Sequence, residues 1–422
     1  MSLRYSARAG VEAPNELALA RQAAGVVNEL TDSNPTHHGL TDPAIADVLA
    51  RSLPAAMSYA PDPKGWRPAR EALAARFGGQ PDDYWLTAST SEAYSWLMLA
   101  LGDPGDAVAS PMPGYPLIEP LARLASLAVV PYAAYYVHPS GWELDLDSVA
   151  AALNDQRVRA LVAVSPNNPT GSYVWPAEAG AISELCARAG VPIIADEVFR
   201  PYALAVPRPA PPLAQGAGEG AVVITLDGLS KLLAAPQLKL GWLRLSGASQ
   251  MTNPLAERLD AIADGYLSVN SPVACALPEL LELADATVAR VRQRCQANLA
   301  ALESGLSAGC RVRRAEGGWV ALVDLPPVSD DDQIGRALLQ RGLSAHPGWF
   351  YDIADTHVIA VSLLPEPAAF QQMIGRISDA SDGTLMAAND FNALVDSLSE
   401  PWPLPWLQQA VQQMKPYTKD AS

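Results

Sequence analysis

From Ala44 onward, short apolar runs alternate along the chain with segments whose apolar residues recur at helical spacing. Helices are predicted over Ile45–Leu53, Trp66–Arg76, Glu92–Leu101, Leu117–Leu124 and Glu178–Ala189. Between them, Trp85–Thr87, Ala107–Ala109, Val129–Tyr132, Ala160–Val164, Pro192–Ala195, Val222–Leu226 and Gly241–Leu245 read as strands. Continuous apolar strands separated by helices predict an α/β large domain, a mostly parallel sheet covered by helices on both faces. Ligands of such sheets bind beyond the carboxyl ends of the strands. That rule gathers Ser89–Ser91, Asn168, Asp196 and Lys231 into one crevice, because each follows an apolar run.

The segments on either side behave differently. Residues 1–48 hold a helical segment near Glu16–Val27 and a turn-rich piece, Leu30–Gly39, with too little apolar surface to fold alone. This N-terminal segment is expected to pack across the domain boundary. His37 and His38 in it read either as ligand-facing or as solvated loop residues. A charged helical run at Glu279–Arg294 marks the exit from the large domain, 49–285. Strands at Arg311–Ala315, Trp319–Asp324 and Val358–Ser362, with a helix at Asp330–Arg341, predict a smaller α+β domain over 286–422. Its extension is expected to carry helices at Phe391–Leu398 and Leu407–Met414, separated by the turn Pro401–Trp406.

Composition narrows the function. A net charge of −16 disfavours a nucleic-acid partner, which would demand clustered Lys and Arg. Cys186, Cys275, Cys295 and Cys310 are scattered without metal-ligand spacing and read as thiols in a reducing compartment. The first residues lack the apolar run of a signal peptide, and no apolar stretch is long enough to span a bilayer. A soluble, cytoplasmic protein without a membrane partner is expected.

Lysine is scarce: Lys64, Lys231, Lys239, Lys415 and Lys419 are the only ones, and two of them fall eight residues apart in the apolar stretch Asp227–Trp242. Two readings fit the stretch alone. It is either a surface loop with solvated lysines or a site where desolvation keeps an amine neutral for Schiff-base chemistry. Ser89-Thr90-Ser91, at a strand-to-helix turn, is either an ordinary cap or an anion site. Asp196-Glu197, after a strand, suits a charge partner, a metal or a structural role. Pyridoxal phosphate calls for a lysine amine, a carboxylate beside its ring nitrogen, a phosphate anchor and an aromatic plane, and this chain offers candidates for all four.

Tyr59…Gly65…Arg70, Thr87–Ala93, Pro113-Gly114-Tyr115, Asn168-Pro169-Thr170-Gly171, Asp196-Glu197 and Ser230-Lys231…Lys239-Leu240-Gly241 occur in that order. In this the sequence resembles the class I/II aminotransferases (fold type I pyridoxal-phosphate enzymes, aspartate aminotransferase fold) over roughly residues 28–378. The resemblance implies that Lys231 forms the Schiff base and carries the substrate proton, that Asp196 pairs with the ring nitrogen, and that Asn168 bonds the ring's 3′ oxygen. It further implies that Tyr115 stacks on the ring and that Ser89, Thr90, Ser91, Ser230 and Lys239 hold the phosphate. Tyr59 would reach the phosphate of a neighbouring subunit, hence a homodimer with sites at its interface.

Several positions depart from the family pattern. Phe199 replaces a tyrosine that donates to the 3′ oxygen, with Tyr202 as the nearby substitute. Gly228 and Lys239 stand where serine and arginine are usual. Ala360 stands where an arginine normally clamps the substrate carboxylate, which leaves Arg8, Arg200 or a different kind of substrate. The implied function is a pyridoxal-phosphate-dependent transaminase acting on small-molecule amino and keto acids. A lyase, decarboxylase or oxidase of the same fold is the alternative, and a non-catalytic binding protein a third reading.

Overall fold

The computed structural model describes residues 3–381, except 11–12, 26, 219, 268, 308, 327–330 and 355–356. The helices and turn expected at Phe391–Leu398, Pro401–Trp406 and Leu407–Met414 lie outside the described residues.

An eight-stranded sheet forms the centre, in the order Tyr84–Thr87, Gly241–Ser246, Val223–Gly228, Ile193–Asp196, Val158–Val164, Ala107–Met112, Ala128–Val137 and Gly141–Leu144. Its middle strands pair in parallel. Gly241–Ser246 runs antiparallel to both its neighbours, and Gly141–Leu144 closes the far edge as a hairpin. Apolar continuity has a simple cause here, since both faces are covered. Ala160, Val162 and Ile194 pack on the side of the helices Thr90–Leu101 and Ser249–Tyr266. Leu161, Ala163, Ile193 and Ala195 pack on the opposite side, with Val149 and Ile182 of the helices Leu146–Leu153 and Pro176–Ala189.

The second sheet is antiparallel, in the order Arg311–Val312, Val320–Asp324, Val358–Ser362 and His346–Pro347. The N-terminal segment is fastened to it. Asn28–Glu29 pairs in parallel with Leu343–Ser344, and Ser362 N–H donates to the Leu30 carbonyl at 2.6 Å.

Three expectations need correction. The charged run Glu279–Arg294 belongs to two helices, Ser271–Glu282 and Ala284–Gly305, which meet at Leu283. Thr287, Val291, Cys295, Asn298 and Leu302 form the buried seam of the second, at spacings of three and four that surface charges on the other faces had masked. The strand at Val129–Tyr132 continues to Val137, because the Gly141 turn folds the chain back on it. Helix Glu92–Leu101 starts two residues earlier, at Thr90, which makes Ser89 its cap.

Candidate active site

Strand register aligns the ends that carry the chemistry. Thr87 and Gly228 both stand opposite Gly241, while Asp196 stands between Val164 and Leu226. Ser89, Asp196 and Lys231 therefore leave neighbouring strands at the same edge of the sheet. Gly241 makes the closeness possible, because a Cβ there would lie 3.1 Å from the Asp227 carbonyl oxygen and 3.2 Å from Thr90 N.

The helix start at this edge is well capped. Ser89 Oγ accepts from Glu92 N–H at 3.2 Å, and Glu92 Oε2 accepts from Ala88 N–H at 2.5 Å. Thr90 and Ser91 supply the first two N–H groups of the helix, which have no intrahelical acceptor. Ser89, Thr90 and Ser91 remain half-buried, at the positive end of the helix dipole.

Asp196 ends its strand in a closely packed setting. Tyr94 Oη donates to its Oδ2 at 3.0 Å, and Val198 N–H donates to Oδ1 at 3.3 Å. Burial pushes the carboxyl above its ordinary range, while these two donors and the nearby charge of Lys231 pull it back.

Lys231 follows on the short helix Leu229–Leu232. Its Nζ lies 4.9 Å from the centre of the Trp319 ring and 5.1 Å from that of Phe199. Burial brings its pKa down to about 8, with Asp196 opposing the shift. Phe199, Tyr202 and Trp319 form an edge-to-face group beneath it, with ring centres 5.3 and 5.1 Å apart. Tyr202 does not substitute for the hydroxyl missing at Phe199, because its own hydroxyl donates to the Lys231 carbonyl at 2.6 Å.

The Asn168–Gly171 turn closes another side. Gly171, at φ +70°, receives Gly317 N–H and Glu316 N–H on its carbonyl at 2.9 and 3.1 Å, which ties the two sheets together. Asn167 Nδ2 donates to the Pro113 carbonyl, whereas Asn168 Oδ1 is buried without a partner. Trp319 Nε1 is likewise buried and unpartnered. An unsatisfied buried polar atom is costly unless a ligand completes it.

The remaining candidates are spread more widely. Tyr115 is half-exposed on the wall of a cavity of about 500 Å³ shared with Trp349 and Phe350, and the rings beside Lys231 Nζ are those of Phe199 and Trp319. Ser230 is half-buried next to Lys231, Lys239 is exposed at φ +51°, and Tyr59 is 80% exposed. Ala360 is fully buried opposite His346 and packs with Tyr351 and Leu322. Arg200 pairs with Glu197 at 3.4 Å, and exposed Arg8 bonds Ser6. His37 binds Asp32 at 2.8 Å and His38 binds the Asp32 carbonyl, so both serve the turn itself. Among the described residues no group of His, Cys, Asp and Glu suits a metal. Tyr94 and Trp319 escaped the sequence reading. The first looks like one more apolar position of a buried helix, and the second like the start of a strand.

Known proteins resemble this chain in sequence and fold. The glutamate-pyruvate aminotransferase AlaA of Haemophilus influenzae is 30% identical over 263 residues, 60% of this chain and 63% of that protein. The nicotianamine aminotransferase A of Hordeum vulgare is 30% identical over 207 residues, 48% and 43% of the two chains. The match thus spans less than two thirds of the length of these relatives. The alanine aminotransferase of Pyrococcus furiosus superposes with a TM-score of 0.82 at 20% identity, covering 90% of this chain and all of that one. The N-succinyldiaminopimelate aminotransferase of Mycobacterium tuberculosis superposes at 0.73 and 25% identity, over 86% and 96%. The fold is therefore that of the fold type I aminotransferases. The family model for aminotransferase class I and II matches residues 30–366, most of the chain, and the protein belongs to that family.

Proposed function

We propose that the protein is a pyridoxal-phosphate-dependent aminotransferase that moves an amino group from an amino acid to a keto acid or related carbonyl acceptor through Lys231. The observation that carries this reading is the Lys231 amine, enclosed by Phe199 and Trp319, with Asp196 as a nearby charge. The residues present fit the cofactor. Asn168 carries an amide NH2 able to donate to a ring oxygen, and the first N–H groups of the Thr90–Leu101 helix suit a phosphate.

When bound, pyridoxal phosphate supplies an aldehyde for amine condensation and a cationic ring that withdraws electrons from the substrate's Cα. In this reading Asp196 accepts from the ring nitrogen and favours its protonated form. Asn168 bonds the 3′ oxygen, Tyr115 covers the ring, and Ser89, Thr90, Ser91, Ser230 and Lys239 hold the phosphate. A neutral Lys231 Nζ serves first as nucleophile and then accepts and returns the Cα proton, and a pKa of about 8 keeps a useful fraction neutral near physiological pH. Phe199 and Trp319 flank that nitrogen and lower its access to water.

The reading extends to assembly. Tyr59, held in solvent by its own chain, would reach the phosphate in a partner subunit of a two-fold homodimer. The division at 1–48, 49–285 and 286–422 belongs to the same proposal, as does cytoplasmic residence. Among the described residues no helix is long and apolar enough to cross a membrane.

The test is an amino-donor and keto-acid panel begun with glutamate and pyruvate, the pair named for the Haemophilus influenzae relative. Transamination consumes donor and acceptor one for one. The buried Ala360, at the position where the family's arginine is expected, favours a second reading as a lyase or decarboxylase. That reading gains if ammonia or carbon dioxide is released without any acceptor. Absence of visible absorbance retained by the protein after pyridoxal phosphate is added and the unbound cofactor is dialysed away would sink both.

A further inference from the structure

The helix Thr90–Leu101 meets the crevice at two places. Its first turn presents the free N–H groups of Thr90 and Ser91, and Tyr94, one turn further on, reaches across to the end of the strand Ile193–Asp196. Tyr94 is fully buried, and a buried phenol requires a partner. A backbone carbonyl would satisfy that need, as the Val162 carbonyl does for neighbouring Tyr132 at 2.6 Å. Tyr94 instead spends its single proton on Asp196 Oδ2 at 3.0 Å.

Resting on the assignment of Asp196 as partner of the ring nitrogen, we propose that Tyr94 is a positioning residue for Asp196, fixing Oδ2 so that Oδ1 is the oxygen offered to a cationic ligand nitrogen. The bond does two things. It restricts the rotation of the carboxylate about its Cβ–Cγ bond, since Oδ2 is held from the helix while Oδ1 receives only the long bond from Val198 N–H at 3.3 Å. It also favours the ionised carboxylate, against burial that favours the neutral acid, which could not attract a pyridinium. One rigid helix then sets both ends of the cofactor, the phosphate through its first turn and the ring nitrogen through Tyr94. The spacing between the two is fixed by helical geometry and not by a loop.

The charged and titratable groups around Asp196 are Tyr94 on the helix, Lys231 on the short helix beyond the next strand, and the neighbouring Glu197 and Asp227. The test follows the Asp196 carboxyl itself in the cofactor-free protein, by infrared difference spectroscopy with 13C-labelled aspartate, its band identified by Asp196→Asn. Tyr94→Phe removes the donor and preserves the ring. Its Asp196 titration is expected to move up by about one pH unit, a tenfold gain in proton affinity, as loss of a hydrogen bond to a charged group implies. An unmoved titration would overturn the proposal. If the phenylalanine variant does not fold, a fluorotyrosine at position 94 keeps the shape and strengthens the donor, and must move the same titration down; a titration that stays put under that replacement is equally fatal.

A second arm separates this proposal from the reading beneath it. With 15N-labelled pyridoxal phosphate bound, Asp196→Asn is expected to shift the ring-nitrogen resonance, and Tyr94→Phe to shift it in the same sense by a smaller amount. A shift with Asp196→Asn and none with Tyr94→Phe overturns the role of Tyr94 and keeps that of Asp196. No shift with Asp196→Asn removes the assignment of Asp196 itself.

Discussion

The hydroxyl of Tyr202 donates to the main-chain carbonyl of Lys231 at 2.6 Å. Lys231 sits on a helix of a single turn, Leu229–Leu232, which is too short to hold itself. Its backbone is pinned by a ring that is itself locked edge-on against Trp319 at 5.1 Å, and Trp319 is one of the two rings lying beside the lysine nitrogen. Backbone and side chain of the lysine thus lean on the same aromatic group.

Tyr202→Phe keeps the ring contact and removes only the donor. It is expected to lower the stability of the cofactor-free protein by about 0.5–1.5 kcal/mol, the net worth of one hydrogen bond, because Ala234 N–H still donates to the Lys231 carbonyl at 3.1 Å. A urea titration reads this as a lower midpoint at unchanged slope. An unchanged midpoint would mean that the Ala234 N–H alone satisfies the Lys231 carbonyl and that the Tyr202 hydroxyl contributes nothing.

Lys231 should also leave a mark on the pH dependence of stability. In the native protein its pKa is about 8, against 10.5 for an ordinary lysine. Between those values the unfolded chain holds a proton that the native chain has released, so stability rises with pH across that window. The rise is on the order of 3 kcal/mol when complete. Lys231→Met should abolish it, and urea midpoints at pH 7.5 and 10 would tell. If the two proteins show parallel pH curves, the amine is not held neutral by burial.

Much of this could be read from residues alone, and the limits have physical causes. Strands such as Val158–Val164 and Val223–Gly228 announce themselves because a strand covered on both faces is apolar throughout. Lys231, Asp196 and Asn168 were legible because each directly follows such a run. Tyr94 was not, since its meaning depends on Asp196, 102 residues away. Trp319 likewise acquires its place beside Lys231 only when the antiparallel second sheet is docked by the Gly171 turn. The helix Ala284–Gly305 was misjudged because its buried seam is narrow and its other faces carry charge.

Gly241 offers a test of how tightly the proposed anion site is built. A methyl group there would stand 3.2 Å from both Ser89 C and Thr90 N, backbone atoms that yield only if the helix start moves. Gly241→Ala is expected to cost about 1–3 kcal/mol through overpacking. It should also weaken protection by inorganic phosphate, because the first-turn N–H groups move with the backbone. Thermal melts with and without phosphate separate the two effects. A variant as stable and as phosphate-responsive as the parent would show that the helix start has room to retreat.

Glu197 has the opposite linkage to Lys231. It is 4% exposed, accepts from Leu213 N–H at 2.6 Å and faces Arg200 at 3.4 Å. Burial nevertheless raises its pKa to about 7, from an ordinary 4.5. Between those values the native protein binds a proton that the unfolded chain does not, and stability therefore falls as pH rises toward 7. Glu197→Gln keeps an acceptor for Leu213 and removes the titration. Relative to the parent, the variant should gain stability progressively from pH 4.5 to pH 7.5, by up to about 3 kcal/mol, less whatever the Arg200 pair contributes. Asp227, buried nearby and also raised to about 7, retains a similar slope in the variant, so the pH curve flattens in part only. Unfolding measured at pH 5 and pH 7.5 in both proteins decides the matter. If the variant loses more at pH 7.5 than at pH 5, Glu197 is ionised in the native state and the Arg200 pair outweighs its burial.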